Sequence, residues 1–144
     1  MIEVMNEMAD LVRAAVAGNG VDVQVEPRRV LNPTPPTVDI YVGDPAKGFD
    51  AAGFGDMAGE DIYTVRLRVG ITDYEENHEL LYDFMDEESP LCVPMAILQE
   101  DTLNGLVNSI DITSFSGELL FPNLEGTMVH IGCQWGFQVI PARS

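Results

Sequence analysis

Glu75 and His78 are spaced i, i+3 within Asp73-Tyr74-Glu75-Glu76-Asn77-His78-Glu79, the arrangement that forms one arm of a di-metal carboxylate site on a helical face. Such a site needs a second arm and further carboxylates from facing helices. The only other histidine, His130, stands alone in a strand-like stretch. Acids also crowd a first helical turn for a simpler reason, because the helix dipole stabilises negative charge there. Gly53-x-Gly55-x-x-x-Gly59 has the outline of a phosphate-cradling turn. A genuine one follows a strand and opens a helix whose N-terminus meets the phosphate. Here Asp56, Glu60 and Asp61 surround the glycines and a strand comes next, so the glycines read as flexibility. No GxSxG elbow is present for nucleophilic catalysis. Cys92 and Cys133 have neither CxxC spacing nor an electropositive setting that would lower a thiol pKa, and both read as small buried hydrophobes. The runs Glu75-Glu76 and Asp86-Glu87-Glu88 arise from composition and read as a solvated face. With no spacing that suggests a convergent polar pocket, the chain reads as a non-enzyme with no metal or cofactor.

Cations are scarce, so each carries weight: Lys and Arg total seven against 24 Asp and Glu, a formal charge of −17 at pH 7. Arg66 and Arg68 project from one face of a strand, away from its apolar side. Two readings stand open. They form cross-strand salt bridges within the sheet, worth little each at a surface, or they meet acids of a neighbouring copy, where planar carboxylate pairing suits Arg. Arg28-Arg29, beside a proline-rich crossing, is open to the same two readings. Gln134 and Gln138 flank a bare strip left by Gly132 and Gly136, where glycine marks a bulge, a bend or the close approach of another backbone or helix. These arginines and glutamines are the candidate subunit contacts.

The elements that must position them follow from periodicity. Val129, Ile131, Cys133, Trp135, Phe137 and Val139 alternate with His130, Gly132, Gln134, Gly136 and Gln138, which makes a strand with one buried face and one polar, glycine-notched face. At ~3.4 Å per residue it runs to roughly 40 Å, about twice the usual length. A packed side and a presentable side favour an assembly subunit over an enzyme built around a pocket. Upstream, Met1, Met5, Met8, Val12 and Val16 form the stripe of an opening helix that Gly18-Asn19-Gly20 ends. Val21, Val23 and Val25 alternate into a short strand stopped by Pro27, and Asn32-Pro33-Thr34-Pro35-Pro36 is a stiff extended crossing. Val38, Ile40 and Val42 give a second strand.

Residues 43–61 are glycine-rich without helical or strand period, a long irregular stretch of the functional or mobile kind. Residues 63–72 alternate as a third strand. Asp73 caps a helix carrying Leu80, Leu81, Phe84 and Met85, Ser89-Pro90 breaks it, and Pro94 fits the first position of a short helix over 93–99. Val107, Ile110 and Ile112 begin a fourth strand, and residues 116–126 lead to the fifth. The expected fold is a single α+β domain over residues 1–144: a mainly antiparallel twisted sheet of four or five strands with helices packed on one face. At 46% hydrophobic the chain can bury an ordinary core. Its charge repels DNA phosphates and anionic membranes, and no run approaches the ~18 to 20 apolar residues that cross a bilayer. Glu3, Glu7 and Asp10 interrupt what would be the apolar middle of a secretory signal, so synthesis and assembly in the cytoplasm are expected.

The order of segments resembles a known family. An N-terminal helix, Thr34-Pro35-Pro36-Thr37-Val38 before a strand, Ile71-Thr72-Asp73 at a strand end, Leu80-Leu81-Tyr82-Asp83-Phe84-Met85, Asp101-Thr102-Leu103-Asn104-Gly105-Leu106-Val107 and a closing strand through Trp135-Gly136-Phe137 together look like tail terminator proteins of long-tailed, siphovirus-type bacteriophages. The resemblance implies a structural virion protein: an α+β subunit forming a hexameric ring at the head-proximal end of the tail. That ring caps the tail tube, ends elongation and presents the surface for head-tail joining. Implied partners are sister copies, the tail-tube protein and a head-closure or connector protein, with DNA passing through the lumen unbound. The family has no catalytic residues to carry over. It marks the strand around Arg66 and the 43–61 loop as contact regions, with Lys47, Phe49, Phe54 and Met57 as tube-contact candidates. Pro94 and the acids of that loop depart from the family's pattern. Acidity suits such a ring, because a positive lining would hold phosphates, and strand edges paired around a ring are protected from aggregation. The competing readings are a head-closure or tail-tube subunit of the same virion and, in a different class, an acidic inhibitor that mimics DNA.

Overall fold

The computed structural model describes residues 2–43, 61–70, 74–122, 126 and 129–142. The opening stripe forms helix α1 (Ile2–Gly18), which buries Val4, Met8, Ala9, Val12 and Val16. Gly20, at φ 73°, ends it: its N–H reaches the Ala17 carbonyl and that of Val21 the Val16 carbonyl, a Schellman closure. Strand β1 (Gln24–Glu26) runs parallel to β2 (Thr37–Val42), so residues 27–36 cross the sheet to return the chain in the same direction. After β3 (Asp61–Val69) come α2 (Tyr74–Met85) and α3 (Val93–Leu98), then β4 (Val107–Pro122) and β5 (Val129–Pro141). Pro94 sits in the first turn of α3, where its missing N–H would have no partner.

The sheet has the order β1-β2-β3-β5-β4, with one parallel pair and antiparallel pairing elsewhere. The fold is therefore α+β with a mixed five-stranded sheet. Register puts Val38 beside Leu67 and Cys133, and Ile40 beside Val65 and Trp135, on one apolar face. Helix residues Met8, Val12, Leu81, Phe84, Val93 and Ile97 join these strands in one core.

Two expectations are corrected. The last strand was expected to present its polar face, yet His130, Gly132 and Gly136 are buried. The reason is what flanks that face: Arg68 stands beside Gly132, Phe121 beside His130, and Thr64 and Ser114 on either side of Gly136. Gly132 serves close approach, since a Cβ there would lie 1.8 Å from the Leu67 carbonyl oxygen of the adjoining strand. The fourth strand was expected to give way to a connection at residue 116, but β4 continues to Pro122 over 16 residues. Register shifts between Val107 and Ser109, Ile112 and Ser114, and Ser116 and Leu119 break its alternation, so period-two patterning loses it. Lesser differences are that β3 begins at Asp61, β1 only at Gln24, and Val4 and Ala9 join the buried stripe of α1, with Met1 outside the described residues. The Asp73 cap and all but the first and last residues of the 43–61 segment lie outside the described residues.

Candidate functional site

Three of the candidate arginines converge on the polar face of β2 and β3. Asp39 stands between Val38 and Ile40, pairs in register with Arg66, and is wholly buried. Its Oδ1 accepts from Arg66 Nε at 3.0 Å, and its Oδ2 accepts from Arg66 and from Arg68, the latter at 3.1 Å. The crossing segment closes over this cluster. Val30 donates its N–H to Asp39 Oδ2 at 2.9 Å, while its carbonyl accepts from Arg68 at 2.8 Å and Arg66 at 3.3 Å. Arg29 and Arg66 both lie over the Tyr41 ring, 4.3 and 5.2 Å from its centroid. The cross-strand reading of Arg66 and Arg68 is thus realised inside the chain, and Arg68, 2% exposed, offers no guanidinium to solvent.

The charges respond to this burial. Burial lowers Arg68, Asp39 partly restores it and Arg66 repels it, leaving it at about 10, still protonated at neutral pH. For Arg66, burial works against the charge but the hydrogen bond and charge of Asp39 outweigh it, so its pKa is raised. His130, close enough to feel Arg68, is held below its ordinary value by burial and then by that charge; its hydrogen bond with the Phe121 backbone offsets part. Its Nδ1 and the Nε of Arg68 are both buried without a hydrogen-bond partner. Burial pushes both Cys92 and Cys133 up, the opposite of what a nucleophilic thiol needs.

The remaining candidates do not join the cluster. Arg28 points outward, 72% exposed on its side chain, and pairs with Glu26 at 3.0 Å. Gln134 and Gln138 are half-buried on β5, opposite Arg66 and Ile62 in register. Lys47, Phe49, Phe54 and Met57 lie outside the described residues. His78, from the possible metal arm, instead meets Glu118 of β4, and Tyr82 donates to the same Glu118 oxygen at 2.6 Å. These two bonds hold Glu118 below the ordinary carboxylate range, that of Tyr82 first. Glu118 has φ 52° at the β4 irregularity, so α2 is tied to the sheet where the strand is most distorted. Among the described residues, no group of three or more His, Cys, Asp or Glu is placed to hold a metal. No helix among them is long and apolar enough to cross a membrane.

Two features were not singled out from the sequence. Asp39 was legible in principle, as an acid between two core residues in phase with the arginines of another strand. The second is the outer strand β4, which has β5 as its one strand neighbour among the described residues. It leaves Ile112, Phe115 at 49% and Leu120 at 68% exposed. Phe115 rests against Trp135, with ring centroids 5.7 Å apart, and the tip of its ring lies close over Gly117. The apolar residues from Phe115 to Phe121 carried that signal, but serines, Gly117 and Glu118 interrupt it. No protein-family model matches the chain, and no curated protein is similar to it in sequence.

Proposed function

We propose that this chain is a structural subunit of a long-tailed bacteriophage virion. In this reading, copies close into a ring, on the family resemblance a hexamer, at the head-proximal end of the tail. The ring caps the tube, stops its elongation and offers the head-closure protein a surface to join. The observation that carries the reading is β4: a long outer strand with large apolar side chains in solvent. Such an edge is a template for pairing, and proteins ordinarily blunt or cover it. Closure of subunits around a ring covers every such edge at once. The charge of −17 agrees with a lumen through which DNA slides without being held.

Electron microscopy of tails assembled with and without this chain tests the reading. Without it, tails should be of uncontrolled length and remain unattached to heads; normal tails would overturn it. Growth of the purified chain into long tubes would instead identify a tube subunit.

A further inference from the structure

We infer that copies of this chain join head to tail, with the segment 27–31 of one copy lying along strand β4 of the next. The inference deepens the ring reading and rests on it, naming which surfaces meet.

Three observations carry it. First, strand order maps the two halves of the chain onto opposite ends of the sheet: β1, β2 and β3 at one end, β5 and β4 at the other. Second, charge follows that division. Residues 69–142 contain no Lys or Arg, so among the described residues the β4 end carries neither; the nearest, Arg143, follows β5 outside them. Its described acids include Asp111 on β4 and the exposed Glu79 and Asp83 of α2, a helix tied to β4 through Glu118. The described arginines all lie in α1, the 27–36 crossing and β3, and Arg28 is the most outward-facing of those in ion pairs. Two β4 edges brought together would face like charge with like, whereas β4 against the crossing segment brings acids to a guanidinium. Third, both surfaces hold apolar side chains in solvent: Phe115 and Leu120 on β4, and Leu31, half-exposed, three residues along the crossing from Arg28.

The two ends also differ in what their backbones offer. At the β1 end, Arg13 takes the Val25 carbonyl with bonds of 3.2 and 2.6 Å, so this three-residue strand is already capped. It brings side chains to the contact, and β4 brings the open edge. The Arg28–Glu26 pair is no obstacle, because an exposed pair of this kind is worth little and can be shared with a second carboxylate. A contact between two unlike surfaces propagates around a ring; one between like surfaces stops at a dimer.

The test uses two variants of the full chain, one with Arg28→Glu and Leu31→Ser, the other with Phe115→Asp and Leu120→Ser. All four positions are exposed, and circular dichroism checks that both variants fold. Chemical cross-linking and sedimentation of concentrated protein should show a ladder of oligomers for the unaltered chain and monomer for each variant alone. The equimolar mixture should give a dimer and nothing larger, because one intact crossing segment then meets one intact β4. If β4 paired with β4, the first variant would still dimerise and mixing would add nothing, which overturns the inference. An unaltered chain that stays monomeric at every concentration overturns it too. Neither result touches the tail-length experiment, so the ring contact and the virion role fail separately.

Discussion

The two ends of this sheet solve the same problem differently. At the β2–β3 end the polar face is closed by the chain itself: residues 27–36 cross it, and Val30 bonds to Asp39, Arg66 and Arg68. At the β4 end it is the other, apolar face that is left incomplete: Ile112, Phe115 and Leu120, in register with Phe137, Trp135 and Ile131, remain in solvent. Where the chain supplies its own cover, the charged groups are committed internally and serve the fold. Where it does not, apolar surface is left over, and its cover has to come from outside. Stability should therefore rest on the buried Asp39 cluster, and assembly on exposed side chains alone: Phe115 and Leu120 of β4, and Arg28 and Leu31 on the outside of the crossing.

The most damaging way to break the covered end is Asp39→Ala. It strands two guanidinium groups in a site built around one carboxylate, and removing one partner of a buried pair costs roughly 3–5 kcal/mol. Urea unfolding should show a loss of that size. Replacing all three together, Asp39→Leu with Arg66→Met and Arg68→Met, should recover most of it, because an apolar set of similar volume needs no compensation. If the single and triple changes are equally harmful, the cluster is not acting as a charge unit.

Gly132→Ala should come next. The added methyl would sit 1.8 Å from a backbone oxygen of β3, so strands must move apart where no flexible side chain can yield. Overpacking of this kind costs about 3 kcal/mol, at the upper end of what cores absorb. The same substitution at Gly18, with nothing within 4 Å of the added atom, is the matched control and should leave stability nearly unchanged.

Sequence reading recovered what local periodicity encodes. Met8, Val12 and Val16 of the α1 stripe, the alternation of β3 and β5 and the first-turn place of Pro94 appear where residue spacing puts them, whereas α2 stops at Met85, ahead of Ser89-Pro90. What it could not encode was neighbourhood. Nothing within residues 129–139 says that Arg68, Thr64, Ser114 and Phe121, distant in sequence, flank its polar face. The outer half of β4 was missed for a local reason: each register shift resets the alternation, and Glu118 adopts a backbone conformation that strand patterning does not anticipate. Arg66 and Arg68 were recognised as unusual, but their partner Asp39 was overlooked because it looked like an ordinary polar position between Val38 and Ile40.

A third prediction concerns pH, at the margin where β5 borders the charged cluster. His130 is held below its ordinary pKa, by burial first and then by Arg68, so the folded chain keeps it neutral while the unfolded chain protonates near ~6.5. Its contribution is fully present above that pH and is lost as pH falls through it toward the folded value. The urea midpoint should drop between about pH 7.5 and 5.5, before most carboxylates titrate. His130→Gln should flatten that slope. An unchanged slope in the variant would place the titration elsewhere.

The smallest effect on stability should come from the open end, and its smallness makes the comparison decisive. Leu120 is the most exposed apolar side chain of β4, so Leu120→Ser removes little buried area and should leave the unfolding free energy within ~0.5 kcal/mol. Phe115→Ser should cost somewhat more, because its ring contacts Trp135. If this surface exists to be covered by another copy, the pair of changes should nonetheless abolish cross-linked oligomers, while Gly132→Ala, which lies in neither contact surface, should leave them intact in whatever fraction stays folded. Should Leu120→Ser instead destabilise the isolated chain by several kcal/mol, the side chain is already covered from within. The contrast between a self-covered and a partner-covered end would then be lost.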